Sequence, residues 1–170
     1  MRLPPVDPTE PPSLYKRAIT PIALSSVGQW YLKGPAPVLD DRLFRWTRGR
    51  LTSVPGIPIL LLKSVGAKSG RPRLNALGYF NDGERVIAMA SNYGGTRNPA
   101  WYYNVRANPD VTLTAGGREG RYRAEITSGA ERDRLWELAK GYIDAYEMYE
   151  GMTAGVREVP VIAFTPMDPE

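Results

Sequence analysis

From Ile57 onward the chain is written in short apolar runs separated by turn residues, and this texture predicts strands. Residues 57–64, 74–80, 86–90, 111–114, 121–126 and 159–164 carry the runs, each of the length and β-branched or aromatic content of a strand. Asn81-Asp82-Gly83 is a tight hairpin signal between the second and third, and Ala115-Gly116-Gly117 joins the fourth to the fifth. Helical pattern interrupts the strands twice. Asn98 is placed to cap a helix with Pro99 at its first position, and Asn108-Pro109 stops it. Ser128-Gly129-Ala130-Glu131 has the form of a capping box that opens a helix running to about Ala145. Strands linked by hairpins form an antiparallel sheet, and a sheet of this size curls to hide its edges. The fold expected is mainly β (α+β): a small six-stranded barrel with flanking helices.

Ahead of Ile57 the texture is different. Residues 19–32 have helical content broken at Gly28, and residues 37–50 make a better helix. In the latter, Val38, Leu39, Leu43, Phe44 and Trp46 cover one face while Asp40, Asp41, Arg42, Arg45 and Arg48 face water. This helix is expected to pack across a barrel mouth. Residues 1–18 are dominated by proline and read as a loose arm ahead of one domain over residues 19–170. At 170 residues and 42% hydrophobic content the chain has material for one real core. Its apolar runs fall far short of the roughly 20 residues that cross a bilayer. A secretory apolar segment is missing from the start of the sequence, so a cytoplasmic location is expected.

Composition narrows the chemistry. The chain contains no cysteine and no histidine, which removes thiolate nucleophiles, disulfides, thiolate or imidazole metal sites and every histidine-based triad. Proton transfer falls to Tyr, Lys, Asp, Glu, Ser or water, and no metal site is expected. A net charge of +4 and a pI near 9.4 favour anionic partners, without choosing among phosphate-bearing small molecules, nucleic acid and membrane surfaces. Nucleic acid ranks last, because the cations gather at loops and alternate with acids rather than forming a continuous basic strip studded with aromatics.

Three segments carry candidate chemistry. The first is "SVGAKSGRPR", Ser64 to Arg73. Gly66 and Gly70 permit positive φ, which can turn successive amides toward one point as an anion nest. Lys68, Arg71 and Arg73 would surround that point, and Ser69 adds a hydroxyl. The plain alternative is a basic hairpin whose glycines only make the turn. A Walker loop is ruled out, since its Gly-Lys-Ser/Thr ending is absent. The second is "ASNYGGTRNPAWYYNVRANP", which sets a polar glycine-containing loop between a strand and a helix start. There Ser91, Asn92, Gly94 and Gly95 could meet a heterocycle. Trp101 is balanced between that role and the core, and Val105 is core. The third is Tyr142, Tyr146 and Tyr149, spaced to share a helix face, either lining an aromatic pocket or packing as an amphipathic stripe.

Taken in order, the loop Gly66, Lys68, Ser69, Gly70, Pro72 and Arg73, then "NDGERVIAMAS", "NPAWYYNVRANP" and the terminal "REVPVIAF", resemble the deazaflavin-dependent nitroreductase family. That group uses reduced coenzyme F-420 and includes quinone reductases. The resemblance spans about Pro55 to Pro166. It implies a split β-barrel like that of FMN-binding pyridoxamine-phosphate oxidases, with the deazaflavin in a groove along the barrel. It implies that Gly66, Lys68, Ser69, Gly70, Arg71 and Arg73 receive the cofactor's phosphate and polyglutamate tail. Ala67 stands where family members often carry arginine, so that one tail contact is either missing or replaced by Lys63. Ala90, Ser91, Asn92, Pro99, Ala100 and Trp101 would flank the ring. Tyr142, Tyr146 and Tyr149 would line the substrate side, with Tyr146 the phenol that orients the acceptor or donates a proton.

The reaction so implied is hydride transfer from the reduced deazaflavin to a small electron acceptor, a quinone, enone or nitroaromatic. FMN on the same barrel is the enzymatic alternative, and a non-catalytic barrel holding cofactor or lipid is the alternative outside enzymes. If the acceptor is a lipid quinone, Trp30, Tyr31, Leu32 and Lys33 with the apolar stretch from Pro21 could rest on a headgroup layer at the inner face of the membrane; capping the barrel is the plainer role. Monomer and homodimer both fit the sequence.

Overall fold

The computed structural model describes residues 2–10 and 58–167, with Ser25, Gly28, Trp30 and Thr47 as isolated positions. The helices expected over residues 19–32 and 37–50, and the stretch proposed to touch a headgroup layer, lie outside the described residues apart from those four. Seven strands follow: β1 (Ile59–Val65), β2 (Pro72–Gly78), β3 (Phe80–Asp82), β4 (Arg85–Met89), β5 (Asp110–Ala115), β6 (Arg118–Ile126) and β7 (Val161–Pro166). Within residues 58–167 three α-helices accompany them: α1 (Ala100–Ala107), α2 (Gly129–Tyr142) and α3 (Ala145–Thr153). Every strand pairing is antiparallel.

The sheet runs in the order β2-β1-β5-β6-β7-β4-β3. Its two edge strands, β2 and β3, are consecutive in sequence and separated by Tyr79 alone. One residue cannot reach across a flat seven-stranded sheet at nearly 5 Å per strand. The sheet therefore curls into a half-barrel that brings the end of one edge strand to the start of the other. The count differs from six because the run 74–80 divides at Tyr79. Gly78 is the last residue registered with β1, opposite Ile59. The Tyr79 amide then donates to Pro58 O, and Phe80 turns to pair with Ile87 of β4. The hairpin turn falls on Gly83 and Glu84, with Gly83 at φ +61° where a left-handed residue is needed.

Alternation along β4 and β7 divides the core in two. Val86, Ala88, Ile162 and Phe164 join Leu60, Leu62, Val111, Leu113 and Tyr122 on the concave face. Ile87, Met89, Val161 and Ala163 face the other way, beneath Leu135, Trp136 and Ala139 of α2 and Tyr146 and Tyr149 of α3. Strands covered on both faces lose their polar positions, which is why "RVIAM" and "VIAF" read as continuous apolar runs. Helix α1 belongs to the concave side through Trp101 and Val105.

Three local expectations change. Asn98 does not cap α1; its side chain accepts from Arg157 Nη1 at 2.7 Å, and the helix begins beyond an extended Pro99. Ser128 precedes α2 but makes no side-chain cap bond. The helix expected to reach Ala145 ends at Tyr142, where Gly141 and an extended, β-branched Ile143 (φ −137°) stop it, and α3 restarts at Ala145. The start of the proline-rich arm is tied down. Leu3 is buried on the concave side and its amide donates to the Tyr122 hydroxyl, while Val6 exchanges hydrogen bonds with Asn81.

Candidate functional site

Two loops meet α1, one at each end. The first joins β1 to β2. Along β1, Leu60, Leu62 and Ser64 turn inward and Leu61, Lys63 and Val65 outward. Ser64 pairs with Arg73 and Lys63 with Leu74, and directly paired residues share a face. Arg73 thus lies on the side of Ser64, and Lys63 on the opposite side of the sheet. The loop brings together Gly66, Ser69, Arg71 and Arg73. A Cβ on Gly66 would lie 2.6 Å from Ser69 Oγ, 3.2 Å from Arg71 O and 3.5 Å from Arg73 Nε. Gly66 is required here by that crowding and Gly70 by its φ of +64°.

The amide nest expected at this loop does not form. The Gly66 amide donates to Arg71 O at 2.9 Å, that of Gly70 to Gly66 O at 2.8 Å, and that of Ala67 to Asn104 Oδ1 at 3.0 Å. Those donors close the loop on itself and fasten it to α1, leaving to an anion the side chains and, among the described residues, the unbonded Lys68 and Ser69 amides. Lys68, Ser69, Arg71 and Arg73 are all exposed. Among the described residues, neither these three cations nor Lys63 forms an ion pair. A cluster of unneutralised charge on a short turn is an attractive field for a polyanion. Beneath it, Ser64 is 2% exposed, and its hydroxyl has no hydrogen-bond partner.

The second loop, from Ala90 to Pro99, is held quite differently. Asn92 and Tyr93 sit at φ +50° and +52°, a left-handed pair without a glycine. Asn92 Nδ2 bridges to Arg97 O at 2.9 Å, so its side chain is committed to the loop itself. Ala90 is fully buried and offers only its backbone, and Ala100 is exposed at the helix start. Trp101 takes the packing alternative, buried in the concave core. Gly94 (φ +73°) lets α3 approach, since a Cβ there would be 2.8 Å from Met152 Sδ.

Across the loop reaches Arg157, which sequence reasoning passed over. Its guanidinium donates to Gly95 O (2.9 Å), Ala90 O (3.3 Å), Ser91 O (2.6 Å) and Asn98 Oδ1 (2.7 Å). Desolvation lowers its pKa from the ordinary guanidinium value. The letters "REVPVIAF" contain the residue but nothing that names its partners, which lie 59 to 67 positions earlier.

The tyrosines do not form one helical stripe. Tyr142 ends α2 and meets Phe80 edge-on at 6.2 Å, while Tyr146 and Tyr149 lie on α3. Tyr149 stands edge-on to Tyr93 at 6.4 Å, linking this layer to the second loop. Tyr146 lies between Trp136 and Tyr149 with 8% of its surface exposed. Burial raises its pKa, so the phenol keeps its proton.

The profile of the F420H(2)-dependent quinone reductase family matches residues 39–166. The chain belongs to this family. An F420H(2)-dependent quinone reductase of Mycobacterium tuberculosis strain H37Rv is 36% identical over 132 residues, 75% of this chain and 87% of that protein. A solved F420-H2 dependent reductase is 33% identical with a TM-score of 0.58, covering 63% of this chain and 93% of its own. A solved domain-swapped dimer is 30% identical with a TM-score of 0.59, covering 75% of this chain and 96% of its own.

For a quinone reductase of this family the cofactor is reduced coenzyme F-420. The residues present suit such a molecule: unneutralised cations at one end of α1 for an anionic tail, and a polar loop with exposed amides at the other for a flat heterocycle. Among the described residues no group of acidic side chains could hold a metal, and no helix is long and apolar enough to cross a membrane.

Proposed function

We propose that the chain reduces a quinone-class acceptor, with enones and nitroaromatics as related electron-poor substrates. When bound, reduced coenzyme F-420 supplies the hydride. Lys68, Ser69, Arg71 and Arg73 grip the anionic tail; Ser91, Asn92, Pro99 and Ala100 hold the ring from one edge. Tyr142, Tyr146 and Tyr149 form the aromatic layer on the acceptor side. The observation that carries this reading is the attachment of both loops to α1. The Ala90–Pro99 loop runs straight into the start of the helix, while the Ser64–Arg73 loop is fastened to its second half and end, the Ala67 amide donating to Asn104 Oδ1 and Asn108 Nδ2 to Val65 O, so one rod sets the distance between the tail grip and the ring seat. Fixing that distance holds donor and acceptor atoms in a reactive arrangement.

Tyr146 is the proton donor of this proposal, a buried phenol that holds its proton and is able to offset, then protonate, the hydroquinone anion that hydride transfer to a quinone leaves. Titrating the protein with oxidised deazaflavin by fluorescence, then measuring turnover with menadione, tests the whole. Saturable binding and turnover are expected. No binding at low ionic strength ends the proposal. Tyr146→Phe should reduce kcat by roughly tenfold to a hundredfold while leaving deazaflavin affinity within about twofold; an unchanged kcat removes the phenol from the reaction.

A further inference from the structure

Arg157 is the most heavily used side chain in the neighbourhood of the second loop. Four acceptors converge on it: three main-chain carbonyls, of Ala90, Ser91 and Gly95, and the Asn98 side chain. The first and last of these stand at the two ends of the excursion between β4 and α1, so a single guanidinium draws the loop closed. Its own backbone is fixed as well, by Arg157 N to Thr153 O at 3.0 Å, and Thr153 is buried at the end of α3. Among the described residues no carboxylate pairs with Arg157. Four of its five donors go to neutral acceptors, an arrangement that the planar fork of arginine can supply and the single ammonium of lysine cannot.

The direction of those carbonyls fixes something else. None of the described peptide bonds is cis, and in a trans peptide the N–H points opposite to the C=O. With the Ala90, Ser91 and Gly95 carbonyls turned toward Arg157, the amides of Ser91, Asn92 and Thr96 are turned away from it. Among the described residues none of those three amides has a hydrogen-bond partner. Asn92 and Thr96 are exposed and Ser91 half-buried. Unbonded amides directed away from the guanidinium are donors waiting for an acceptor.

We infer that Arg157 is a positioning residue: by gathering three carbonyls on one side of the loop it presents the Ser91, Asn92 and Thr96 amides as donors to the acceptor edge of the cofactor ring. This rests on the reading that the loop seats the ring. The guanidinium itself touches neither cofactor nor substrate; its effect passes through the backbone.

The experiment compares full-length wild type with Arg157→Gln, Arg157→Lys and Asn98→Ala. The readouts are fluorescence titration with oxidised deazaflavin, the visible band of the bound cofactor, and amide hydrogen exchange over residues 90–98. Loss of a charged hydrogen-bonding centre predicts affinity reduced by about tenfold or more in Arg157→Gln. The reduction should persist at high salt, because it arises from geometry rather than attraction to the tail. At saturating cofactor the bound band should move back toward that of the free molecule, and exchange in the loop should rise. Arg157→Lys should restore only part of the affinity, and Asn98→Ala, which removes one link, should cost about twofold to threefold. If Arg157→Gln does not fold, Arg157→Lys and Asn98→Ala decide by the same readouts. Affinity within twofold and an unmoved band in the variants overturn the inference, with faster loop exchange then marking Arg157 as a brace only. Failure of the wild type itself to bind deazaflavin would instead bring down the functional reading on which the inference stands.

Discussion

The two loops at the ends of α1 solve different recognition problems by different physics. The Ser64–Arg73 loop carries its function in side-chain charge: three exposed cations without ion pairs among the described residues, on a turn most of whose amides are occupied in holding its own shape. The Ala90–Pro99 loop carries its function in main-chain direction, with a strained left-handed pair, a glycine against α3 and one arginine across its mouth. Charge acts over several ångströms and tolerates error in position; hydrogen bonds to a ring edge do not. A flexible anionic tail and a flat rigid ring call for those two solutions respectively. Mutations that remove charge should therefore act on the first loop through ionic strength, and mutations that change backbone geometry should act on the second without regard to salt.

The largest effect is expected from Lys68→Ala combined with Arg73→Ala. Two charge-assisted contacts to an exposed anion predict deazaflavin affinity reduced roughly tenfold to a hundredfold at low ionic strength. The difference from wild type should shrink toward molar salt, where the screening length falls to about 3 Å. Neither side chain supports the core, so the melting temperature should move by no more than about 2 °C. Equal titrations of the double variant and wild type at low salt would erase the contrast between the loops.

A smaller effect, on the second loop, is expected from Gly94→Ala. The new Cβ meets Met152 Sδ at 2.8 Å and a backbone at φ +73°, which together predict a loss of about 1–3 kcal/mol in unfolding free energy. Met152 is half-exposed, so its sulfur can move. Gly94→Ala with Met152→Ala removes the sulfur and methyl contacts but keeps the Met152 Cβ at 3.1 Å, and should recover most of the steric part while leaving about 1 kcal/mol for the left-handed backbone. Denaturant unfolding of wild type, Met152→Ala, Gly94→Ala and the double variant separates the two contributions. Full recovery in the double variant would show that backbone strain contributes nothing at this position.

That same contrast decides what could be read from the residues alone. The cations of the first loop are visible because charge is a property of the letter: Lys68, Arg71 and Arg73 announce themselves wherever the chain takes them. The strands are visible for a related reason, since a pleated strand repeats every two residues. Only the division at Tyr79 escaped, because the corner is made by main-chain bonds to Pro58 and Val6 that leave no mark in the pattern. The second loop was legible as a glycine-rich turn before a helix, and its content was not. Amide direction is a property of φ and ψ, and the residue that sets it stands beside α3 and beyond another turn. The anion nest was misread in the opposite sense. Glycines at positions 66 and 70 are compatible with converging amides, but Gly66 serves a close approach, and the Gly66, Ala67 and Gly70 amides bond within the loop or to Asn104.

Lys63 offers the finest test of the comparison, because there sequence proximity and structural placement disagree. It lies three residues before Gly66, close enough that charge counting alone places it in the grip. Strand alternation sends it to the opposite face from Ser64 and Arg73, with the β1–β2 sheet between its ammonium and the loop's interior. An exposed charge on the far side acts only through solvent, where attraction at such a distance is largely screened at physiological salt. Lys63→Ala should change deazaflavin affinity by less than about twofold, and by still less as salt rises. A loss matching that of the Lys68 variant, measured in the same buffer, would mean the tail wraps over the edge of β2 to reach the outer face, and the first loop would then be one part of a larger anionic track.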